Sequence, residues 1–125
     1  MSASRDYVQE MFRAIEVGDM DTFKQCFTPD GVVWHNHDGL EQNIEDTSQS
    51  LAWLHGAMTD GLKYVDQTIA RSGSQVFVKH VLKGHLASGK DFNLAAMMWI
   101  ELNDSGLVTR LDEYFDSRAL DVLAG

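Results

Sequence analysis

Val8, Met11, Phe12 and Ile15 recur at the spacing of one helical face and predict a first helix, with Ser4 as its N-cap and Gly18 as its stop. Asp19 can cap a short second helix, whose Met20, Phe23 and Phe27 share a face. Pro29-Asp30-Gly31 reads as a turn, and residues 32–36 (Val-Val-Trp-His-Asn) as a short strand. After a polar loop containing Gly39, Asn43 can cap a third amphipathic helix carrying Ile44, Leu51, Leu54 and Met58, with Trp53 beside them.

From Gly61 onward the pattern is that of strands. Turn signals at residues 71–74, 87–90 and 103–106 divide it into four runs, a little longer than the usual ~5–6 residues of a strand. Connections this short favour consecutive antiparallel pairing. The expected order is helix, helix, strand, helix and then a four-stranded meander, its last three strands within residues 75–116. Helices first and a meander last place the helices on one face of the sheet. Residues 94–100 (Leu-Ala-Ala-Met-Met-Trp-Ile) form an unbroken apolar run, as in a strand buried on both faces. Met97 and Trp99 would point away from the helices and, uncovered, leave a large apolar patch. A second copy of the chain is the economical cover, so a homodimer through the outer sheet face is expected.

Composition narrows the partners. With 125 residues, the chain fits one domain, 1–125, with one core. Hydrophobic residues at 44% and charged residues at 23% exclude a disordered chain. A net charge of -9 and a pI near 4.7 would repel a phosphate backbone or an anionic bilayer, so neither nucleic acid nor membrane is expected as a partner. The lone Cys26 can form no internal disulfide and reads as a small buried hydrophobe. With no signal peptide and no apolar run of membrane length, the expected location is the cytoplasm.

The period of two along a strand sorts the chemistry by face. Leu111, Glu113 and Phe115 oppose Arg110, Asp112, Tyr114 and Asp116; Val76, Val78, His80 and Leu82 oppose Phe77, Lys79, Val81 and Lys83. Each mostly apolar face carries one titratable group. Val32, Trp34 and Asn36 share a face on the first strand. If these faces line one pocket, His80, Glu113 and Asn36 meet in apolar surroundings. The carboxylate would orient His80, and His80 would move the proton. The bland alternative is a hydrogen-bonded core histidine and a partly exposed strand carboxylate. The spacing His35-Asn36-His37 puts two rings on one face, but no Cys cluster or His-Glu-x-x-His accompanies it, and no metal is expected.

Glu16-Val17-Gly18-Asp19, Phe27-Thr28-Pro29-Asp30, Ser105-Gly106-Leu107-Val108 and Asp112-Glu113-Tyr114-Phe115-Asp116, taken with the element order, resemble the NTF2-like superfamily over nearly the whole chain. The nearest groups are the SnoaL-like polyketide cyclases, ketosteroid isomerases and limonene-epoxide hydrolases. The resemblance implies an α+β cone, with three N-terminal helices packed on a curved antiparallel sheet enclosing one apolar pocket. It implies catalytic candidates His80, Glu113, Asn36 and His35, and a ligand-binding wall of Trp34, Met11, Phe12, Trp53, Leu82, Met98, Leu111 and Phe115. Either His35 or Asn36 falls at the general-base position of the isomerases.

Departures limit what carries over. Trp34-His35-Asn36 is similar to the Tyr-x-Asn that holds water in the epoxide hydrolases, but His80 stands at their Arg and Leu82 at their second Asp. Met11 and Met98 stand where the isomerases carry oxyanion donors. The implied activity is cofactor-free acid–base chemistry of isomerase, cyclase or dehydratase type on a small apolar polyketide-, steroid- or terpenoid-like molecule. The alternatives are a non-catalytic small-molecule-binding or dimerisation module, and an epoxide hydrolase with a degenerate triad.

Overall fold

A computed structural model describes residues 5–124. Helix α1 (Tyr7–Val17) buries Val8, Met11, Phe12 and Ile15, the face that the spacing predicts. Its N-cap is Asp6, whose carboxylate accepts from the Gln9 amide at 3.2 Å. Ser4 lies outside the described residues. Gly18 ends the helix at φ +79°, packed so closely under His55 that a Cβ would fall 2.7 Å from its Nδ1. Only glycine meets both conditions without strain. Helix α2 (Met20–Gln25) is capped by Asp19, as predicted, through the Thr22 amide and hydroxyl.

Strand β1 (Phe27–His35) begins earlier than the sequence suggests, because Pro29-Asp30-Gly31 is not a free turn. It forms an irregular stretch inside the strand, where the register shifts between Phe27 and Val32. A short strand β2 (Glu41–Asn43), not expected from the sequence, follows the loop at Gly39. Helix α3 (Ile44–Gly56) starts at the predicted cap: Asn43 Oδ1 accepts from the Asp46 amide at 2.7 Å. Met58, expected within this helix, lies beyond it in an isolated bridge with Leu86.

The predicted meander is present: β3 (Lys63–Ser72), β4 (Gln75–His85), β5 (Asp91–Leu102) and β6 (Val108–Phe115). The turn glycines Gly73, Gly89 and Gly106 all adopt positive φ. The six strands form one sheet in the order β2-β1-β6-β5-β4-β3. One pairing departs from the antiparallel expectation, since β1 runs parallel to β6. The chain returns through α3 before entering the meander, which lets β1 join β6 from the far edge. Register shifts in β1, in β3 and between β5 and β6 bend the sheet around the helices.

The core lies between the three helices and the inner sheet face, with Met11, Phe23, Val76, Phe92, Ile100 and Val108 fully enclosed. The segment after β6 is a 3₁₀ helix, η1 (Ser117–Leu123), packed on β5. Residues 94–100 are buried on one face only. Met97 and Trp99, with Tyr114 of β6, stand exposed on the outer face. No helix among the described residues is long and apolar enough to cross a membrane.

Candidate active site

The parallel pairing of β1 with β6 builds the site. It sets Val33 beside Leu111 and His35 beside Glu113, in register. In-register neighbours share a face, so all four project inward. His35 Nε2 lies 3.1 Å from Glu113 Oε1, and both side chains are largely buried. Burial alone would hold the His35 imidazole below its ordinary pKa. The Glu113 hydrogen bond and charge, with a smaller contribution from Asp38, outweigh it and leave a net upward shift.

This pair opens into an apolar cavity of about 240 Å³ between α3, the inner sheet face and η1. Leu82, Leu94, Met98, Leu111 and Phe115 line its floor and walls. Trp53 and His37 line it as well, the former 61% exposed and therefore at the rim. Leu120 and Leu123 of η1 help to close it. The few polar residues of its lining include Gln42, Thr47, Ser50 and Tyr64. His37 packs its ring 5.1 Å from Phe115 and 5.8 Å from His35, with its Nε2 3.6 Å from Asp38.

The geometry rearranges the residues proposed from sequence. Glu113, His35, Leu82, Met98, Leu111, Phe115 and Trp53 line the cavity. Trp34 does not: it faces outward, with its ring 5.2 Å from Tyr114. Met11 is fully buried in the core, outside the cavity wall. Phe12 sits behind the wall, edge-on to Tyr64 and His80 at 5.0 and 5.4 Å. Asn36 lies just past β1 and extends the ladder. Its Nδ2 donates to the Phe115 carbonyl at 3.1 Å, and its Oδ1 accepts from the Phe115 amide at 3.0 Å. Asn36 therefore fixes the ends of the two strands that carry His35 and Glu113, and does not face the cavity.

His80 shares the inner face with Glu113, as the alternation requires, but the two do not pair. The partner of Glu113 is His35. His80 is 4% exposed, and its Nδ1 lies 3.1 Å from Gln67 Nε2. Its Nε2 has no hydrogen-bond partner among the described residues. Burial holds the His80 pKa below its ordinary value, opposed by the charge of Glu113. Gln67 reaches His80 because β3 is irregular there. Between Val65 and Thr68 the register shifts, and Asp66 adopts φ +54°. Nothing in the sequence pattern marks that irregularity. Tyr64 was missed as well, although alternation with Leu62 was a usable signal.

Two histidines on one sheet face thus have opposite electrostatic settings. His35, paired with a carboxylate at the cavity, favours its protonated form. His80, enclosed by aromatic rings and an amide, favours the neutral one. Among the described residues, no three His, Cys, Asp or Glu side chains converge on one point.

Comparison with solved structures finds the same fold throughout. An NTF2-like protein of unknown function from Cytophaga hutchinsonii superposes with a TM-score of 0.73 at 21% identity, over 97% of this chain and 96% of its own. A candidate polyketide cyclase from Xanthomonas campestris pv. campestris gives 0.78 at 18% identity, over 95% and 94%. A hypothetical protein with a ketosteroid isomerase-like fold from Catenulispora acidiphila, in complex with trimethylamine, gives 0.73 at 15%, over 91% and 88%. No curated protein sequence matches the chain. The model of the SnoaL-like domain matches residues 8–111.

Proposed function

The chain belongs to the SnoaL-like domain family, and on that premise we propose that it is a cofactor-independent enzyme moving a proton on a small apolar carbonyl or hydroxyl compound. The observation that carries this reading is the His35–Glu113 pair, set into an otherwise apolar cavity. The candidate polyketide cyclase among the structural neighbours supports the same class of chemistry. A cavity of about 240 Å³ suits a compact ligand.

The roles follow from the hydrogen bond. Glu113 accepts from His35 Nε2–H, which leaves Nδ1 with the lone pair of the neutral ring. Nδ1 takes a proton from a carbon beside the carbonyl, and the electron pair left behind delocalises onto the carbonyl oxygen. The imidazolium that forms is stabilised by Glu113 and returns the proton to another carbon, or to the oxygen. An isomerase, a cyclase and a dehydratase differ in what the enolate does next. The raised pKa of His35, from the Glu113 hydrogen bond and charge, makes the ring a stronger proton acceptor.

Epoxide opening finds no support in this arrangement. Trp34 faces outward and Asn36 is bound to the Phe115 backbone, so the two cannot hold a water together in the cavity. The reading as a binding module rests on the scarcity of polar groups in the cavity wall. One experiment separates catalysis from binding. A panel of small cyclic ketones and enones is incubated with the protein in D₂O, and exchange beside the carbonyl is followed by proton NMR. The expected result is exchange with the native protein and its loss in His35→Ala. Equal exchange rates in the two proteins would refute the enzyme reading.

A further inference from the structure

We infer that Tyr64 is a further catalytic residue, a phenol that donates a hydrogen bond to the substrate oxygen while His35 works on the neighbouring carbon. The inference rests on the functional reading above and adds a second contact point to it.

Tyr64 sits on β3, paired with Leu82 of β4, which in turn pairs with Leu94 of β5; all three line the cavity. His35 and Glu113 stand on β1 and β6, at the other side of that apolar row. The Tyr64 ring is clamped between Phe12, 5.0 Å away at 70°, and His80, 4.4 Å away at 44°. Its backbone amide donates to Glu16 Oε2 at 2.9 Å, which fixes the strand at that point. The residue lies deep in the protein yet keeps accessible surface, and that surface belongs to the cavity wall. No hydrogen bond of its hydroxyl is present among the described residues, and the oxygen is not one of the buried polar atoms left without a partner, so it keeps accessible surface. A rigidly held phenol that lines a cavity with its hydroxyl open is a donor held ready for a ligand.

The electrostatics agree. Burial pushes the Tyr64 pKa well above its ordinary value, and the charges of Glu113 and Glu16 push the same way. The phenol therefore keeps its proton and can donate it into a hydrogen bond. When His35 removes a proton from carbon, negative charge develops on the carbonyl oxygen, where a fixed donor is most effective. The proton stays on the phenol and the electron pair stays with the substrate, so the step balances without a co-reactant. His80, held by Gln67 through Nδ1, is a positioning residue: it forms one side of the clamp on Tyr64. The substrate class sharpens accordingly, to an apolar body whose oxygen reaches Tyr64 while an adjacent carbon reaches His35.

The test compares 2-naphthol with naphthalene, which differ by one hydroxyl, on the native protein, Tyr64→Phe and His35→Ala. Binding is read by fluorescence titration. The native protein should bind 2-naphthol about tenfold more tightly than naphthalene, and Tyr64→Phe should lose that preference while binding naphthalene unchanged. An undiminished preference in Tyr64→Phe would overturn the inference, most directly if His35→Ala lost it instead. The proton-exchange reading would survive that outcome if His35→Ala still abolished exchange. Failure of the native protein to bind naphthalene would remove the cavity as a ligand site, and both readings with it.

Discussion

The two faces of the same sheet put alternate residues to different uses. On β5 the inner positions Phe92, Leu94, Ala96, Met98 and Ile100 are buried, while the outer Ala95, Met97 and Trp99 are exposed. Both sets are apolar. Of the inner set, Phe92, Leu94 and Met98 floor a cavity that receives His35, Glu113 and Tyr64. The outer set joins two aromatic pairs, Phe77 with Trp99 at 4.9 Å and Trp34 with Tyr114 at 5.2 Å. Nothing among the described residues covers them: Met97 is 60% and Tyr114 51% exposed. Apolar content alone therefore does not tell the face that holds the cavity from the outer one. The difference lies in which face carries enclosed titratable groups.

The largest expected effect falls on the inner face. His35→Ala should lower the exchange rate by roughly 10²–10⁴-fold, the usual worth of a positioned base, with the far-ultraviolet circular dichroism unchanged. The outer-face change Trp99→Glu should leave the rate per chain nearly intact. If Trp99→Glu costs as much activity as His35→Ala, the division of labour between the faces is wrong.

The next effect belongs to the outer face. A second copy of the chain is expected to pair there, with Trp99 and Met97 at the centre of the contact. Buried aromatic anchors of this kind carry about 2 kcal/mol or more each, so Trp99→Glu should weaken association by at least about 30-fold. Sedimentation velocity at micromolar concentration should show a dimer for the native chain and a monomer for the variant. A native monomer would mean that this face is uncovered in solution.

A smaller effect tests the joint between the strands. Asn36→Ala removes two hydrogen bonds to the Phe115 backbone and should cost about 1–2 kcal/mol in chemical denaturation. It should also loosen the alignment of His35 with Glu113, lowering turnover without abolishing it. Unchanged stability would show that the ladder ends do not depend on this side chain.

What could be read from sequence divides at this same joint. Alternation within a strand correctly put Leu111, Glu113 and Phe115 together, and His80 with Leu82, on the inner face. Helix periodicity and the caps at Asp19 and Asn43 were also legible, because they are local. Val32 and Trp34 do alternate together on β1, but toward the other face, and Asn36 lies just past the strand, bound to the Phe115 backbone. A one-residue change of phase inverts every side chain of a strand. The phase of β1 is set by its parallel register with β6, where His35 pairs with Glu113, 78 residues on, and no local pattern encodes that register. The same blindness hid Gln67, which reaches His80 only because β3 departs from regular pairing at Asp66. It also hid η1, whose Leu120 and Leu123 acquire a role only against the finished cavity.

The finest test concerns the two histidines of the inner face, whose settings should be separable by titration. His35 has a raised pKa, so folding favours its protonated form. That contribution to stability is fully present below the unfolded value of ~6.5 and is lost as pH rises through the folded value. His80 has a lowered pKa, so folding favours its neutral form. Its contribution is present above ~6.5 and is lost as pH falls through the folded value. Ring-proton NMR should therefore give His35 the higher midpoint and His80 the lower. Glu113→Gln keeps the side-chain shape and removes the charge. It should move the His35 midpoint down by a large step, because hydrogen bond and charge both weaken, and the His80 midpoint down by a smaller one, because only the charge is lost. In the same pair of proteins, the stability lost on substitution should be greater near about pH 5.5 than near about pH 8, since the ion pair needs a protonated His35. Equal midpoints for His35 in the two proteins would break the pairing at the centre of the site, and a larger shift at His80 than at His35 would return the base to β4.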